Sequence, residues 1–253
     1  MQESSDKFER ILVAPAYQQV AEAIEREIME GRISEGERLG TEAELVRQFG
    51  VNRSTVREGI RLLEQSGLIR RDQSRRLYVS IPRYNRLASR VSRALVLHQI
   101  TFRELWEASM VIETATAEGA AANATADDIR ELEDNIARME QAKSRETFTE
   151  LDNEFHALIA KVSKNRVLEL AREPAGLLFK PTLQIILQKV PIARSRNLEA
   201  HRKIVQACRK KDTKGAALWM RRHMLDWKLG FEKTGQQFDG PVELVRQRPD
   251  RNR

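Results

Sequence analysis

Apolar residues recur every three or four positions along most of this chain, which is the spacing that places them on one face of a helix. The first such stripe is formed by Tyr17, Val20, Ile24 and Ile28, and Gly31 follows it. Because glycine commonly ends a helix, this pattern predicts a first helix over about 17–30.

Two further helices are predicted before residue 67. Residues Thr41 to Glu44 form a capping box, which predicts a second helix over about 42–48. A short turn with Gly50 follows, and Asn52 is suited to cap a third helix that ends at Gly67. The inward stripe of that helix is Val56, Ile60 and Leu63. Two helices joined by a short turn are typical of a helix-turn-helix.

Two short strands follow the third helix. Residues 68–71 and 77–79 have strand character, and the loop between them contains Arg75 and Arg76. A basic hairpin beside the third helix makes this a winged helix-turn-helix.

The chain beyond Arg83 is predicted to be almost continuously helical up to about residue 235. Its apolar stripes mark six or more helices, two of them with polar caps at Thr125 and Asp212. A helix from about residue 166 is expected to be kinked or broken near Pro174 and Pro181. This number of helices predicts a bundle.

The predicted fold class is therefore mostly α, with a winged helix-turn-helix over 10–82 and an all-α bundle over 83–235. Residues 236–253 are predicted to form a flexible tail, since prolines and arginines replace the apolar stripe there.

Composition narrows the class of protein. Of the 253 residues, 41% are hydrophobic and 32% are charged, so the chain can bury a sizeable core. No apolar run approaches the roughly 20 residues of a membrane span. The first six residues are acidic and polar, unlike a secretory signal, so we expect a cytoplasmic protein. The single Cys208 excludes an internal disulfide and a cysteine-rich zinc module.

Arginine is concentrated around the predicted third helix. Residues 45–83 contain nine arginines against three acidic residues, within a chain of net charge +7. Arg53, Ser54 and Arg57 cluster in the first turns of that helix, where a recognition helix meets base edges. Arginine suits phosphates and guanine edges because its planar guanidinium can donate two parallel hydrogen bonds. The alternative interpretation of the charge alone is a solvated helical face.

These elements resemble the GntR family of bacterial transcription regulators. The resemblance rests on Tyr17 to Val20, Gly36 to Leu39 and Val51 to Glu58, and it covers about residues 16–80. It implies dimers that bind operator DNA through Arg53 and Arg57, with Ser54 and Thr55 near the phosphates. The full predicted DNA-contact set is Thr41, Arg53, Ser54, Thr55, Arg57 and Arg75. Ala43 departs from the family, which usually has arginine there, and Ser74 and Arg76 stand where glycines are usual.

Three of the four histidines lie on apolar stripes of the predicted bundle. Asp152 and His156 are four positions apart, which places both on one helix face. His201 and His223 lie on two later helices. One carboxylate and three imidazoles could hold a divalent transition metal and leave positions open for water or a ligand. The alternative is that each histidine is a hydrogen-bonded core residue.

The same residues resemble the FCD domain, the C-terminal partner in the FadR subfamily of GntR regulators. The matching residues are Leu151 to Ile159, His201 to Ile204 and Arg222 to Met224, within a resemblance over about 100–232. It implies that Asp152, His156, His201 and His223 bind a metal, usually zinc or nickel, at the floor of a cavity for a small carboxylate effector. Ser109 stands where an effector-facing arginine is frequent, so it is a candidate effector contact, and a neutral effector stays open.

The sequence thus predicts a regulator that binds operator DNA as a homodimer and whose affinity for DNA is controlled by a small metabolite. One alternative is that the metal itself is the signal. Another is a metal-dependent hydrolase, since three protein ligands and a water also describe catalytic zinc. We disfavour the hydrolase because no second acid or base stands out beside the ligands, and Glu154 lies off their face.

Overall fold

The computed structural model describes residues 14–82 and 84–242. The chain divides into two compact units, Met1–Arg83 and Tyr84–Arg253. The predicted fold class is confirmed: the protein is mostly helical, with a winged helix-turn-helix followed by a helical bundle.

The first unit has three helices and a small sheet. In chain order the elements are α1 (Ala16–Met29), β1 (Arg38–Gly40), α2 (Glu42–Phe49), α3 (Arg53–Ser66), β2 (Ile69–Arg71) and β3 (Leu77–Val79). The three strands pair in the order β1-β3-β2, and both pairings are antiparallel. The sequence did not predict β1, because three residues with no alternating pattern carry too little signal. This strand pairs with β3, and Arg38 lies opposite Tyr78.

Local caps and close packing position α3. Asn52 caps its first turn, and Gly67 ends it in the left-handed conformation with a φ of 85°. The inward stripe of Val56, Ile60 and Leu63 is buried against α1. A Cβ on Gly59 would lie 2.9 Å from the carbonyl oxygen of Tyr17, so this glycine allows the two helices to approach closely. The inner side of α3 is therefore closely packed against α1.

The second unit consists of seven helices among its described residues. They are α4 (Tyr84–Leu97), α5 (Phe102–Asn123), α6 (Ala126–Gln141), α7 (Arg145–Val162), α8 (Arg166–Lys189), α9 (Ala193–Arg209) and α10 (Thr213–Lys233). Side-chain caps begin five of them, including the expected Thr125 and Asp212. The core includes fully buried Phe148, Phe155, Ile159, Ile204 and Met220. No helix in the described ranges is long and apolar enough to span a membrane.

Of the kink or break expected in α8, the break is wrong. One helix runs through both Pro174 and Pro181. Each proline removes the hydrogen bond to the carbonyl four residues earlier, which belongs to Leu170 and Leu177 respectively. Both leucines are more than a third exposed, so water can satisfy these carbonyls.

The expected tail begins too early. Residues up to 242 pack against the start of α5: Phe102 donates its amide to the carbonyl of Gly240, and Phe238 and Val242 are buried. The Phe238 ring lies edge-on to Trp106, with 5.9 Å between ring centroids. This strap, residues 236–242, is not helical, so its apolar residues have no helical period from which it could be predicted. Residues 243–253 of the predicted tail lie outside the described residues.

We expect Phe238→Ala to destabilise the second unit by about 3–5 kcal/mol, the usual loss for a buried phenylalanine. Thermal and urea unfolding of the full chain measure this loss. Gln237→Ala is the matched control, because Gln237 is exposed. Equal stability of the two variants would show that the strap does not contribute to folding.

Candidate functional site

The start of α3 presents a polar, cationic end to solvent. The Asn52 side-chain oxygen accepts hydrogen bonds from the Thr55 amide at 2.8 Å and the Ser54 hydroxyl at 2.7 Å. Arg53 and Ser54 are exposed in the first turn, whereas Thr55 is half-buried. Arg57 follows one turn later with 65% of its side chain exposed. The sequence-predicted contacts on α3 therefore share one helix end, where exposed cationic side chains can meet phosphates or bases.

Thr41 and Arg75 lie on other elements of the same unit. The Thr41 hydroxyl caps α2, accepting from the Glu44 amide at 3.2 Å. The next residue, Glu42, places a carboxylate oxygen 3.7 Å from Nε of Arg57, so the starts of α2 and α3 are neighbours. Arg75 is exposed in the wing turn with a φ of 61°. A non-glycine residue rarely adopts that conformation, and here it places a cation in the turn.

The second unit brings the four predicted metal ligands together. Asp152 and His156 come from α7, His201 from α9 and His223 from α10. One ligand atom from each lies within 4.8 Å of the others. Nε2 of His156 is 3.1 Å from Nε2 of His223, and Nε2 of His201 is 3.6 Å from Oδ1 of Asp152. Ligand atoms about 2.0–2.2 Å from a shared ion lie about 3.3–3.6 Å apart in a tetrahedral site and at most about 4.4 Å apart on opposite sides of the ion, so binding would draw the widest pair together.

The environment of His201 fits a metal ligand. The residue is fully buried, and neither of its ring nitrogens has a hydrogen-bond partner among the described residues. Burial, together with the neighbouring imidazoles, holds the pKa of His201 well below its usual value. Burial also lowers the pKa of His223 to about 3, helped by the nearby His156. Both imidazoles are therefore neutral at pH 7, which is the form that binds a metal.

Glu113 of α5 sets the orientation of His156. Its carboxylate lies 2.9 Å from Nδ1 of His156 and accepts from Nε of Arg172 at 3.1 Å. Because a carboxylate accepts, Nδ1 of His156 carries the hydrogen, so in the neutral imidazole, the form that binds a metal, the lone pair is on Nε2 toward the other ligands. Burial alone would raise the pKa of Glu113, but His156 and Arg172 outweigh it and lower that pKa to about 2. For His156, burial lowers the pKa, and Glu113 and Asp152 more than reverse this.

Further polar contacts hold this cluster. Arg172 is buried on α8, and one of its terminal nitrogens donates to the side-chain oxygen of Asn153 at 2.6 Å. A Cβ on Gly176 would lie 2.8 Å from Arg172, so this glycine makes room for the guanidinium. Asn197 of α9 donates to Oδ1 of Asp152 at 2.7 Å. Carboxylate and amide partners of this kind orient metal ligands.

A cavity of about 90 Å³ adjoins the cluster, with space for several water molecules. Asp152, His156 and His223 line it together with Glu113 and Arg172. Apolar and aromatic side chains also line it, among them Phe179, Leu183, Ile186 and Trp227. A small molecule in this cavity would contact both the ligand cluster and apolar side chains.

Ser109 is not among the described residues that line the cavity. It is buried on α5, and its hydroxyl has no hydrogen-bond partner within the described ranges. Its contact with an effector stays a prediction.

The sequence analysis missed Glu113 and Arg172. One signal was available for Glu113, since it is the single charged residue in the stretch 108–117. A charge surrounded by uncharged residues on a helix indicates a buried partner. Arg172 lies in a charged stretch, so its composition gave no such signal.

We expect Glu113→Gln to weaken zinc binding by the full chain about 10- to 100-fold, the usual effect of removing a partner that orients a ligand. A competition titration with a zinc-sensitive dye gives the affinity. Glu118→Gln, on the exposed side of the same helix, is the matched control and should bind zinc as the unmodified protein does. A Glu113 variant that folds and binds zinc with unchanged affinity would contradict the orienting role.

Each of the two units matches a known protein family. Residues 16–79 match the family described as bacterial regulatory proteins, gntR family, and residues 104–226 match the FCD domain. The Uxu operon transcriptional regulator of Escherichia coli (strain K12) is 30% identical, with 82% of this chain and 83% of that protein covered. The HTH-type transcriptional regulator LutR of Bacillus subtilis (strain 168) is 27% identical, covering 71% of this chain and 84% of LutR.

A solved structure agrees with this assignment. The structure titled Streptococcus agalactiae GntR is 26% identical, with a TM-score of 0.60, and covers 83% of this chain and 97% of that one. The matched families and relatives are transcription regulators and not enzymes, so the hydrolase alternative is rejected.

Proposed function

This chain belongs to the gntR family of bacterial regulatory proteins and carries an FCD domain. We propose that a small anionic metabolite controls its affinity for operator DNA. The observation that carries the proposal is the cavity, which joins the four-residue metal cluster to an apolar wall. The chain is a DNA-binding transcription regulator of the GntR/FCD type.

The proposed DNA contacts are those of the α3 start, supported by the α2 start and the wing. Arg53 and Arg57 are the principal contacts, since both are exposed on the side opposite the buried stripe. Ser54, Thr55 and Thr41 lie near phosphates, and Arg75 reaches DNA from the wing turn. One recognition helix reads only a few base pairs, so we propose a homodimer on a near-palindromic site.

Asp152, His156, His201 and His223 are the residues that would hold a divalent metal, with zinc or nickel as the proposed ion. When bound, such an ion supplies a Lewis acid with positions open to a ligand. Asp152 contributes the anionic ligand, and Glu113 and Asn197 orient their partners. Three helices contribute ligands, so loading should also stabilise the bundle against unfolding.

Charge favours an anionic effector. The cavity is lined by four basic side chains and three acidic ones: Arg172, Lys180, Arg196 and Lys233 against Glu113, Asp152 and Asp226. Arg172, Arg196 and Lys180 are each paired with a carboxylate, so the positive charge that favours an anion comes mainly from the divalent ion. A small carboxylate offers the charge that this environment lacks, and its oxygens suit both a metal ion and cationic side chains.

We expect Arg53→Ala and Arg57→Ala to weaken binding to a DNA fragment selected from a random library, without unfolding the protein. A lost base contact costs about 1–3 kcal/mol, and a lost phosphate contact lowers the slope of affinity against salt by about one. Fluorescence anisotropy at several salt concentrations distinguishes the two. Arg26→Ala, which removes the same charge from exposed α1, should bind normally. Unchanged affinity in both α3 variants would reject this helix as the recognition helix.

We expect zinc-loaded protein to change its DNA affinity several-fold when small carboxylates are added, within the roughly 5- to 150-fold range of typical allosteric coupling. His201→Ala should lose bound metal and this response together, because the residue is one of the four proposed ligands. Metal analysis and anisotropy on the same samples measure both. If DNA affinity follows zinc alone and ignores every carboxylate, the ion is the signal and the metabolite proposal is wrong.

A further inference from the structure

His201 differs from His156 and Asp152 in how its side chain is held. The Glu113 carboxylate lies 2.9 Å from Nδ1 of His156, and Asn197 donates to Oδ1 of Asp152 at 2.7 Å. Neither ring nitrogen of His201 has a hydrogen-bond partner among the described residues, although the side chain is fully buried. A metal-ligating histidine is usually oriented by a hydrogen bond from the ring nitrogen that does not bind the ion. Within the described ranges, no such bond fixes the His201 ring.

The phenyl ring of Phe155 stacks on the imidazole of His201. The ring centroids are 3.7 Å apart, and the two planes are inclined by only 11°. Phe155 is fully buried on α7, so the surrounding core prevents its ring from moving aside. Tilting the imidazole would drive it into this ring. The stack therefore fixes the plane in which a nitrogen lone pair of His201 can point at an ion.

Phe155 also connects ligands from two helices. It lies directly before His156 and three positions after Asp152 on α7, whereas His201 belongs to α9. Its ring is edge-on to that of His156, with 5.8 Å between centroids. One apolar side chain thus contacts two imidazoles of the candidate cluster and joins the α7 ligands to the α9 ligand.

The stack should be stronger in metal-loaded protein than in empty protein. An imidazole that coordinates a divalent ion loses electron density to it, and its ring becomes more positive. The face of a phenyl ring is negative, so it attracts an electron-poor ring more strongly than an ordinary one. A contact that strengthens on binding favours the loaded state and so raises the affinity for the ion.

We infer that Phe155 is a positioning residue for the metal, which acts by holding the imidazole of His201 in the plane of its stack. This inference rests on the proposed function, because it requires that the four-residue cluster bind a divalent ion. It assigns to an aromatic side chain the orienting role that Glu113 has for His156 and Asn197 has for Asp152.

The Phe155→Leu variant tests this in the full chain, because leucine is apolar but has no flat ring. We expect it to bind zinc about tenfold more weakly, the lower end of the usual loss when an orienting partner is removed. A competition titration with a zinc-sensitive dye gives the affinity. Phe155→Met, whose flexible side chain fills irregular spaces, is a second variant without the ring and should show the same loss.

Phe148→Leu is the matched control. Phe148 is also a fully buried phenylalanine on α7, and it belongs to the same core as Phe155. Its ring lies against the guanidinium of Arg194 at 4.9 Å, and no candidate ligand stacks on it in the described part of the chain. We expect this variant to lose a similar amount of stability in urea unfolding and to keep the zinc affinity of the unmodified protein.

The visible absorption of cobalt-loaded protein provides a reading that core packing alone does not change. Cobalt(II) takes the same kinds of ligand as zinc, and its absorption depends on the geometry of those ligands. We expect Phe155→Leu to shift the cobalt bands and Phe148→Leu to leave them in place. Both spectra are recorded at a temperature at which circular dichroism shows folded protein.

The outcomes separate this inference from the proposed function. If Phe155→Leu and Phe155→Met bind zinc as well as Phe148→Leu does, or if the cobalt bands do not move, the positioning role is wrong and the proposed metal site stands. An equal loss of zinc affinity in the Phe148 and Phe155 variants would also overturn it, because the loss would then come from core packing. If the unmodified protein binds neither zinc nor cobalt, the proposed metal site fails, and this inference fails with it.

Discussion

The ion pair between Glu113 and Arg172 is the constraint on which the interior of the second unit depends. Both side chains are buried, and an isolated charge in such a place would cost several kcal/mol. Each is acceptable because the other lies at 3.1 Å, and His156 and Asn153 supply further partners to Glu113 and Arg172 respectively. The same carboxylate also holds His156, so the helix packing and the orientation of a metal ligand share one contact. Disturbing the packing of α5 against α8 would therefore disturb the cluster as well.

The candidate functional residues are mostly exposed in the first unit and mostly buried in the second. In the winged helix-turn-helix, the residues proposed to bind DNA are exposed, while the apolar stripe of α3 carries the fold. Substituting those residues changes recognition with little effect on stability, because surface positions contribute little to folding. In the bundle, the candidate ligands are part of the core itself. A substitution there therefore affects both the stability of the fold and the binding of a metal.

Much of the fold was predictable because helix boundaries are encoded locally. The capping box at Thr41, the cap at Asn52 and the glycine at position 67 lie next to the turns that they specify. The three histidine ligands were also predictable individually, since a histidine on an apolar stripe points inward, and Asp152 was predictable because it lies one helical turn before His156. That they converge within 4.8 Å depends on how three helices cross, which the resemblance implied and the periodicity of a single helix does not state.

What escaped prediction depends on distant partners. Glu113 finds His156 43 positions away in the chain, and no stripe on either helix specifies which inward face meets which. The strap at Phe238 is defined by its contacts with Trp106 and Phe231, because its own backbone is irregular. The three-residue β1 exists only through its pairing with β3. In each case the stabilising interaction is tertiary, so local pattern carries little information about it.

The position of α8 gives the cavity a mechanical consequence within the second unit. Arg172, Gly176 and Phe179 place three positions of this helix on the cavity wall. On another side of α8, the buried hydroxyl of Ser92 on α4 donates to the carbonyl of Pro174 at 2.9 Å. The chain enters this unit through α4, directly after the winged helix-turn-helix. A ligand can change DNA affinity only by the difference in its affinity for two arrangements of the protein. If a ligand contacts α8 differently in the two arrangements, those contacts act on the helix against which α4 packs.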